Sequence, residues 1–524
     1  MRVASQKKFL LSLIAVLGCY LVVFFVYAFP HAPFIFSDTN TYLFLNSYRT
    51  LGLPLLYRLV SVFSPTLYGV VLVQLACYVC SLSFLSYTSF RAFRSLTFSL
   101  VLTLLLFLNV SPLLYTQYLI SDSLFFSAVC VFVGLMFLVF ESPSTLRLVL
   151  LGLMVCLILA IRPIGIVFIG ILPVLLVLNR RDWLRVSKAL GGALVVGWVG
   201  LSTINYLVFG YFGVSRSAGY TMVFNAMLLM REDTPSRYPE LARRLYQAGL
   251  PFQKELESQP TALEKHEYLL RTAAIMVKLG STIVSEFAVE TGQDNVAKAR
   301  VGWAKPINDW FNDSSALNRS IARLYPSDRI FRTAQGEAIA RQIAKEAYQH
   351  NLPKRAELQP RNVLFALRWL FFFPEFPGEI RGNLPTDTFY DPREGESTVE
   401  FSEVPTVTSW RGIDLALPLR VVPWMLSGLK APTIKVWIRP VLAVGFAVMV
   451  VFFLVKLLFS QLSRPLEAPA KMLVASAAMI AGYVWSVCFA YIMTDPRYMM
   501  GVFPFTTVLL AMPVLLFQRR AFNE

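Results

Sequence analysis

The sequence predicts an all-α polytopic membrane protein with about ten transmembrane helices and one mainly helical extracytoplasmic insert. Three observations predict it. Of 524 residues, 56% are hydrophobic and only 15% charged, with a mean hydropathy of +0.57; soluble domains run at about 45–50% apolar and 25% charged. Apolar runs that could cross about 30 Å of hydrocarbon, which takes about 20 helical residues, recur toward both ends of the chain. The basic excess lies between those runs. Net charge is +16, yet residues 210–433 hold 27 Lys/Arg against 25 Asp/Glu, and the remainder holds 21 against 7. Most of the surplus sits in short segments: Arg2, Lys7, Lys8; Arg91, Arg94; Arg180, Arg181, Arg185, Lys188; Arg464, Lys471; Arg519, Arg520. Basic residues gathered in the loops of one side mark the cytoplasmic face of a membrane protein. A nucleic-acid partner calls for a basic face on a soluble region. Here that region is nearly neutral, so no nucleic acid is expected.

The expected spans are residues 9–29, 64–88, 96–115, 120–140, 146–161, 163–179, 189–209, 434–458, 472–493 and 500–517. The first is long and lacks a small-x-small cleavage site at Phe29-Pro30-His31, so it reads as an uncleaved span rather than a signal peptide. The fifth and sixth share one apolar run. Arg162-Pro163 divides it, because Pro ends a helix and Arg resists the bilayer centre; one long tilted helix is the alternative. With ten spans, the N-terminus, the basic loops and the C-terminus all fall on the cytoplasmic side. The organisation is then an N-terminal transmembrane module, 1–209, with seven spans and an outer loop at 30–63. An extracytoplasmic soluble domain, 210–433, follows, and a C-terminal transmembrane module, 434–524, has three spans. Within the insert, Pro239–Ala248, Leu263–Leu279 and Leu317–Tyr348 read as helical. The Pro- and aromatic-rich stretch 370–433 suits the membrane surface.

All six Cys fall in expected spans, including Cys77-x-x-Cys80, where they read as small packing residues. Three scattered His have no ligand spacing. There is no G-x-x-x-x-G-K-S/T, H-E-x-x-H or G-x-S-x-G, so any group transfer draws on something other than a bound nucleotide.

Seven acids lie outside the insert. Glu141, Asp182, Glu467 and Glu524 fall in basic loops or the tail, where solvation accounts for them. Asp38, Asp122 and Asp495 fall at the outer ends of spans, in Phe36-Ser37-Asp38-Thr39, Ser121-Asp122-Ser123 and Asp495-Pro496-Arg497-Tyr498. Each is either a capping residue or functional, since ionisable groups near membrane depth are expensive. Their common side favours a shared site. Arg162 and Arg497 converge on that side, as do Arg49 and Arg58 in the loop after Asp38. Carboxylates facing guanidiniums suit proton abstraction from a hydroxyl, a divalent metal on a phosphate, and bidentate clamping of that phosphate.

In these motifs the chain resembles the GT-C superfamily of integral-membrane glycosyltransferases, which includes protein O-mannosyltransferases, aminoarabinose transferases of lipid A and O-antigen glucosyltransferases. The matching features are Ser37-Asp38-Thr39 with Tyr42 and Gly52-x-Pro54 in the first outer loop, and Ser121-Asp122-Ser123-Leu124-Phe125. Arg162-Pro163-Ile164-Gly165 and Asp495-Pro496-Arg497-Tyr498 complete the set. Many members carry two acids in the first loop; here Asp38 stands alone. The resemblance implies transfer of a sugar from a polyprenyl-phosphate-linked donor to a glycan, lipid or protein acceptor on the extracytoplasmic face. It further implies Asp38 as general base or metal ligand, and Asp122 as acceptor-orienting residue or second ligand of a divalent metal, Mg or Mn. Arg162 and Arg497 would hold the lipid phosphate, and Arg58 and Asp495 would belong to the same substrate-binding site. Tyr42 and Tyr498 would contact the sugar. The implied location is the bacterial inner membrane, in cell-envelope polysaccharide biosynthesis. A transporter or flippase for a lipid-linked saccharide and an O-antigen polymerase or ligase are the competing readings.

Overall fold

The computed structural model describes residues 2–23, 42, 50–64, 68–108, 112–113, 115–209, 212–215, 217–292, 334–351, 358, 467–490 and 496–523. The expected span 434–458 and the stretch 370–433 lie outside them. The described residues are helical, with no β-strand among them. Among the described residues, four helical stretches are long and apolar enough to cross a membrane: Gly69–Phe93, Asp122–Glu141, Trp183–Leu207 and Ala468–Val487. Six shorter apolar helices accompany them.

The elements in chain order are α1 (Arg2–Val23), α2 (Gly52–Ser61), α3 (Tyr68–Phe93), α4 (Leu96–Leu108), α5 (Asp122–Glu141), α6 (Thr145–Ile161) and α7 (Ile171–Leu178). They continue with α8 (Gly192–Phe209), α9 (Ser217–Leu229), α10 (Pro239–Ser258), α11 (Ala262–Glu290), α12 (Ala334–His350), α13 (Ala468–Ala490) and α14 (Phe503–Asn523). Three-residue-per-turn helices fill Pro163–Gly170 and Pro496–Gly501, and a π-turn at Ser187–Gly191 leads into α8.

α5 is apolar on every side and buried along most of its length, as expected of a helix at the centre of a bundle. It packs against α3, α6, α13 and α14. α3 runs beyond its expected end at residue 88, through Arg91. Tertiary packing extends it: the Phe93 ring meets Phe98 and Phe137 edge-on at 5.1 and 5.2 Å. The helix then stops at Arg94, whose φ of 56° is left-handed, a common helix ending.

The Arg162-Pro163 break is real, and the single long helix is excluded. α6 ends at Ile161, and Arg162 is extended at φ −144°, ψ 136°. The chain then turns back on itself. A Cβ at Gly165 would lie 2.7 Å from the Leu159 backbone nitrogen, so a residue with a side chain cannot make this return. Phe168, just beyond, is fully buried against Phe125, Phe132, Tyr483 and Phe505, at centroid distances of 6.2, 5.2, 6.0 and 6.1 Å. That aromatic cluster ties α13 and α14 to α5, and one hydrophobic core joins both ends of the chain.

The insert has a second core, formed by α9, α10, α11 and α12. α11 opens with a reciprocal capping box between Thr261 and Glu264. Glu337 of α12 accepts the backbone N–H groups of Gly219 and Tyr220 at 2.6 and 3.1 Å, satisfying donors in the first turn of α9. Residues 239–248 and 263–279 are helical as the sequence suggested, and both helices continue further. Of the expected 317–348 helix, residues 334–348 are described and helical.

Candidate functional site

The site assembles where the break after α6 meets the start of α5 and the short helix α2. Asp122 is the first residue of α5. The residue before it, Ser121, makes no side-chain cap. Asp122 is therefore not a helix cap: its Oδ1 accepts from Arg162 Nη1 at 2.6 Å, and the two side chains are 3% and 11% exposed. A carboxylate in the first turn of a helix also sits at the positive end of the helix dipole. One turn along the same face, the Phe125 ring lies 5.6 Å from Arg162 Cζ. Asp122 and Phe125 thus fix the guanidinium from two directions, by charge and by cation–π attraction.

Breaking α6 leaves carbonyls without intrahelical donors. Thr50 meets one of them, donating from its Oγ1 to the Ile161 carbonyl at 2.7 Å. A Cβ at Gly52 would stand 2.7 Å from the Ala160 carbonyl oxygen. Glycine at that position lets α2 press onto the end of α6. Tyr42, alone among the described residues of its part of the loop, shares a 2.9 Å hydrogen bond with Ser121 Oγ. So Tyr42, Asp122 and Arg162, all singled out from sequence, meet in one place. Arg58 is in the last turn of α2 and half-buried.

Among the described residues, Tyr57 Oη, Gln117 Nε2 and Ser123 Oγ are buried polar atoms with no hydrogen-bond partner. Tyr57 is fully buried, and burial, with the nearby Tyr42, raises its hydroxyl pKa well above the ordinary tyrosine value. It stays a phenol and a potential donor. Unsatisfied buried polar atoms cost about 1–3 kcal/mol each, and such costs gather at ligand sites. The sequence reading did not pick out Thr50, Tyr57, Gln117 or Ser121. Only Ser121 stood inside a quoted motif.

Asp38, Arg49 and Asp495 are outside the described residues. Arg497 and Tyr498 belong to the turn Pro496–Gly501, which packs against α5, α13 and α14. Their backbone is therefore beside the helix that begins with Asp122.

Of the two residues expected to hold a metal, Asp122 is described and Asp38 lies outside the described residues. No group of three His, Cys, Asp or Glu is found among them, and the one carboxylate in place, Asp122, is already held by a guanidinium at 2.6 Å. What the arrangement offers is a buried carboxylate, Asp122, beside a cation that it orients. A hydroxyl can donate to the first and an anion can dock on the second. Comparison of the chain with family models, with curated proteins and with solved structures finds no match.

Proposed function

We propose that this chain is a membrane glycosyltransferase of the GT-C type, with ten spans. It transfers a sugar from a polyprenyl-phosphate-linked donor to a glycan, lipid or protein acceptor on the extracytoplasmic face of a bacterial inner membrane. The observation that carries this reading is the buried Asp122–Arg162 pair, held at the α6 break by Thr50, Phe125 and the Tyr42–Ser121 bond. Buried ionisable groups at the end of an apolar helix are expensive and usually mark function. In the proposed reaction the acceptor oxygen forms a bond to the anomeric carbon. The bond from that carbon to the lipid phosphate breaks, and the phosphate leaves with the electron pair. Asp38 takes the acceptor's proton. Asp122 orients the acceptor hydroxyl, while Arg162 and Arg497 stabilise the departing phosphate; Arg58 and Asp495 belong to the same substrate-binding site. Tyr42 and Tyr498 contact the sugar. Polyprenyl carriers present an already activated sugar, which accords with the absence of a nucleotide-binding motif in the sequence.

The test is turnover by the purified full chain in proteoliposomes, with radiolabelled undecaprenyl-phosphate-linked hexoses and pentoses and a panel of envelope glycans, lipids and proteins. Covalent label on an acceptor, lost in Asp38→Asn at unchanged expression and elution, supports the proposal. Full transfer by Asp38→Asn removes that residue from the base role. Movement of intact lipid-linked sugar across the bilayer with no covalent product establishes the flippase instead.

A further inference from the structure

At the opposite end of the bundle, the end that carries the basic loops, an open groove of about 660 Å³ runs between α6 and the π-turn leading into α8. Its two walls are built alike. On one side Thr145, Val149 and Leu153 follow one another at helical spacing along α6. On the other Lys188, Gly192 and Val196 do the same. Eight residues separate the first and last of each set, so each wall reaches about 12 Å from its polar end. The polar end carries two cations. Lys188 is exposed and has no ion-pair partner among the described residues. Arg185 is exposed, donates to the Pro143 carbonyl at 3.3 Å, and lies 3.8 Å from Asp182. The deeper walls are aliphatic, and Leu153 and Val196 stay exposed there, as residues that face hydrocarbon do. The floor is small: a Cβ at Gly192 would meet nothing within 4 Å, at an ordinary helical φ of −59°.

A groove with cations at the membrane surface and apolar walls descending from them matches a single chemistry. We infer that it seats one anionic phospholipid. The phosphate lies against Lys188 and Arg185, and an acyl chain lies along Val149, Leu153 and Val196. Basic pockets between spanning helices on the positively charged side favour such head groups over neutral ones. The inference rests on the membrane reading of the chain and is independent of the transferase proposal.

Native mass spectrometry of the full chain, released from nanodiscs of equal phosphatidylglycerol and phosphatidylcholine, tests it. The expected result is one tightly retained phosphatidylglycerol, not competed by inorganic phosphate. Occupancy should fall on the order of tenfold in Arg185→Gln/Lys188→Gln, which loses both head-group cations. Gly192→Leu should expel the lipid by filling the floor, at unchanged charge and without backbone strain. Equal retention of the two lipids by wild type, or undiminished phosphatidylglycerol in both variants, overturns the inference. Should the double charge variant fail to fold, Gly192→Leu decides alone: retained phosphatidylglycerol refutes it, and loss supports it.

Discussion

Replacing Asp122 by Asn keeps an acceptor of the same size beside Arg162 but removes the charge that holds it. The two side chains are nearly or fully buried and touch at 2.6 Å. At an effective dielectric constant near 20, unit charges about 4 Å apart attract by about 4 kcal/mol. Burial strips hydration from both groups and offsets part of that, leaving a coupling of about 2–3 kcal/mol. Removing either partner strands the other, which costs about 3–5 kcal/mol. Asp122→Asn and Arg162→Gln should therefore each destabilise the protein by about 3 kcal/mol, and the double variant by clearly less than the sum. Reversible unfolding of the full chain in mixed micelles, titrated with a denaturing detergent, measures all four corners of the cycle. A coupling below about 0.5 kcal/mol would refute the argument, because the contact would then be incidental. Activity separates structure from function. If the pair also serves the proposed reaction, the double variant regains stability relative to the sum of the singles yet transfers no sugar.

Other outcomes follow from the same structure. Gly52→Val should cost about 1–3 kcal/mol and loosen α2, since its Cβ would press on the Ala160 carbonyl; faster protease cleavage near residue 50 reports it. Arg94→Gly should raise stability by about 0.5–1 kcal/mol in a thermal scan, because a side chain at φ 56° is strained. Thorough treatment with EDTA tests the metal separately: unchanged transfer leaves Asp38 as a base alone, and loss of turnover restored by Mg or Mn shows a metal held with Asp38. Burial raises the Glu337 pKa above the ordinary glutamate value, against the lowering effect of the Gly219 and Tyr220 N–H groups and Arg341. The folded insert thus binds this proton more tightly than the unfolded chain. Its contribution is fully present below the unfolded pKa and is lost as pH rises through the folded one. Relative to Glu337→Gln, wild type should lose stability over that rise, and a flat difference in melting temperature against pH would contradict the assignment.

Much of this molecule can be read without coordinates, and particular residues show why. Composition and run length are sums over neighbours, so they identify apolar helices such as Asp122–Glu141 directly. The Arg162-Pro163 break is equally local, because proline lacks the N–H that α6 would need to continue. Asp122, Arg162 and Tyr42 could be selected because an acid, a guanidinium and a phenol stand out against an apolar background. Tertiary structure alone decided what they touch. Arg162 reaches Asp122 across 40 residues, and Thr50 reaches the Ile161 carbonyl across 111. Those pairings depend on how helices cross, on the return permitted by Gly165, and on the aromatic cluster around Phe168. Hydropathy and propensity carry no term for such contacts, since each is a property of a short segment, whereas a meeting of segments is fixed by the packing of the whole bundle.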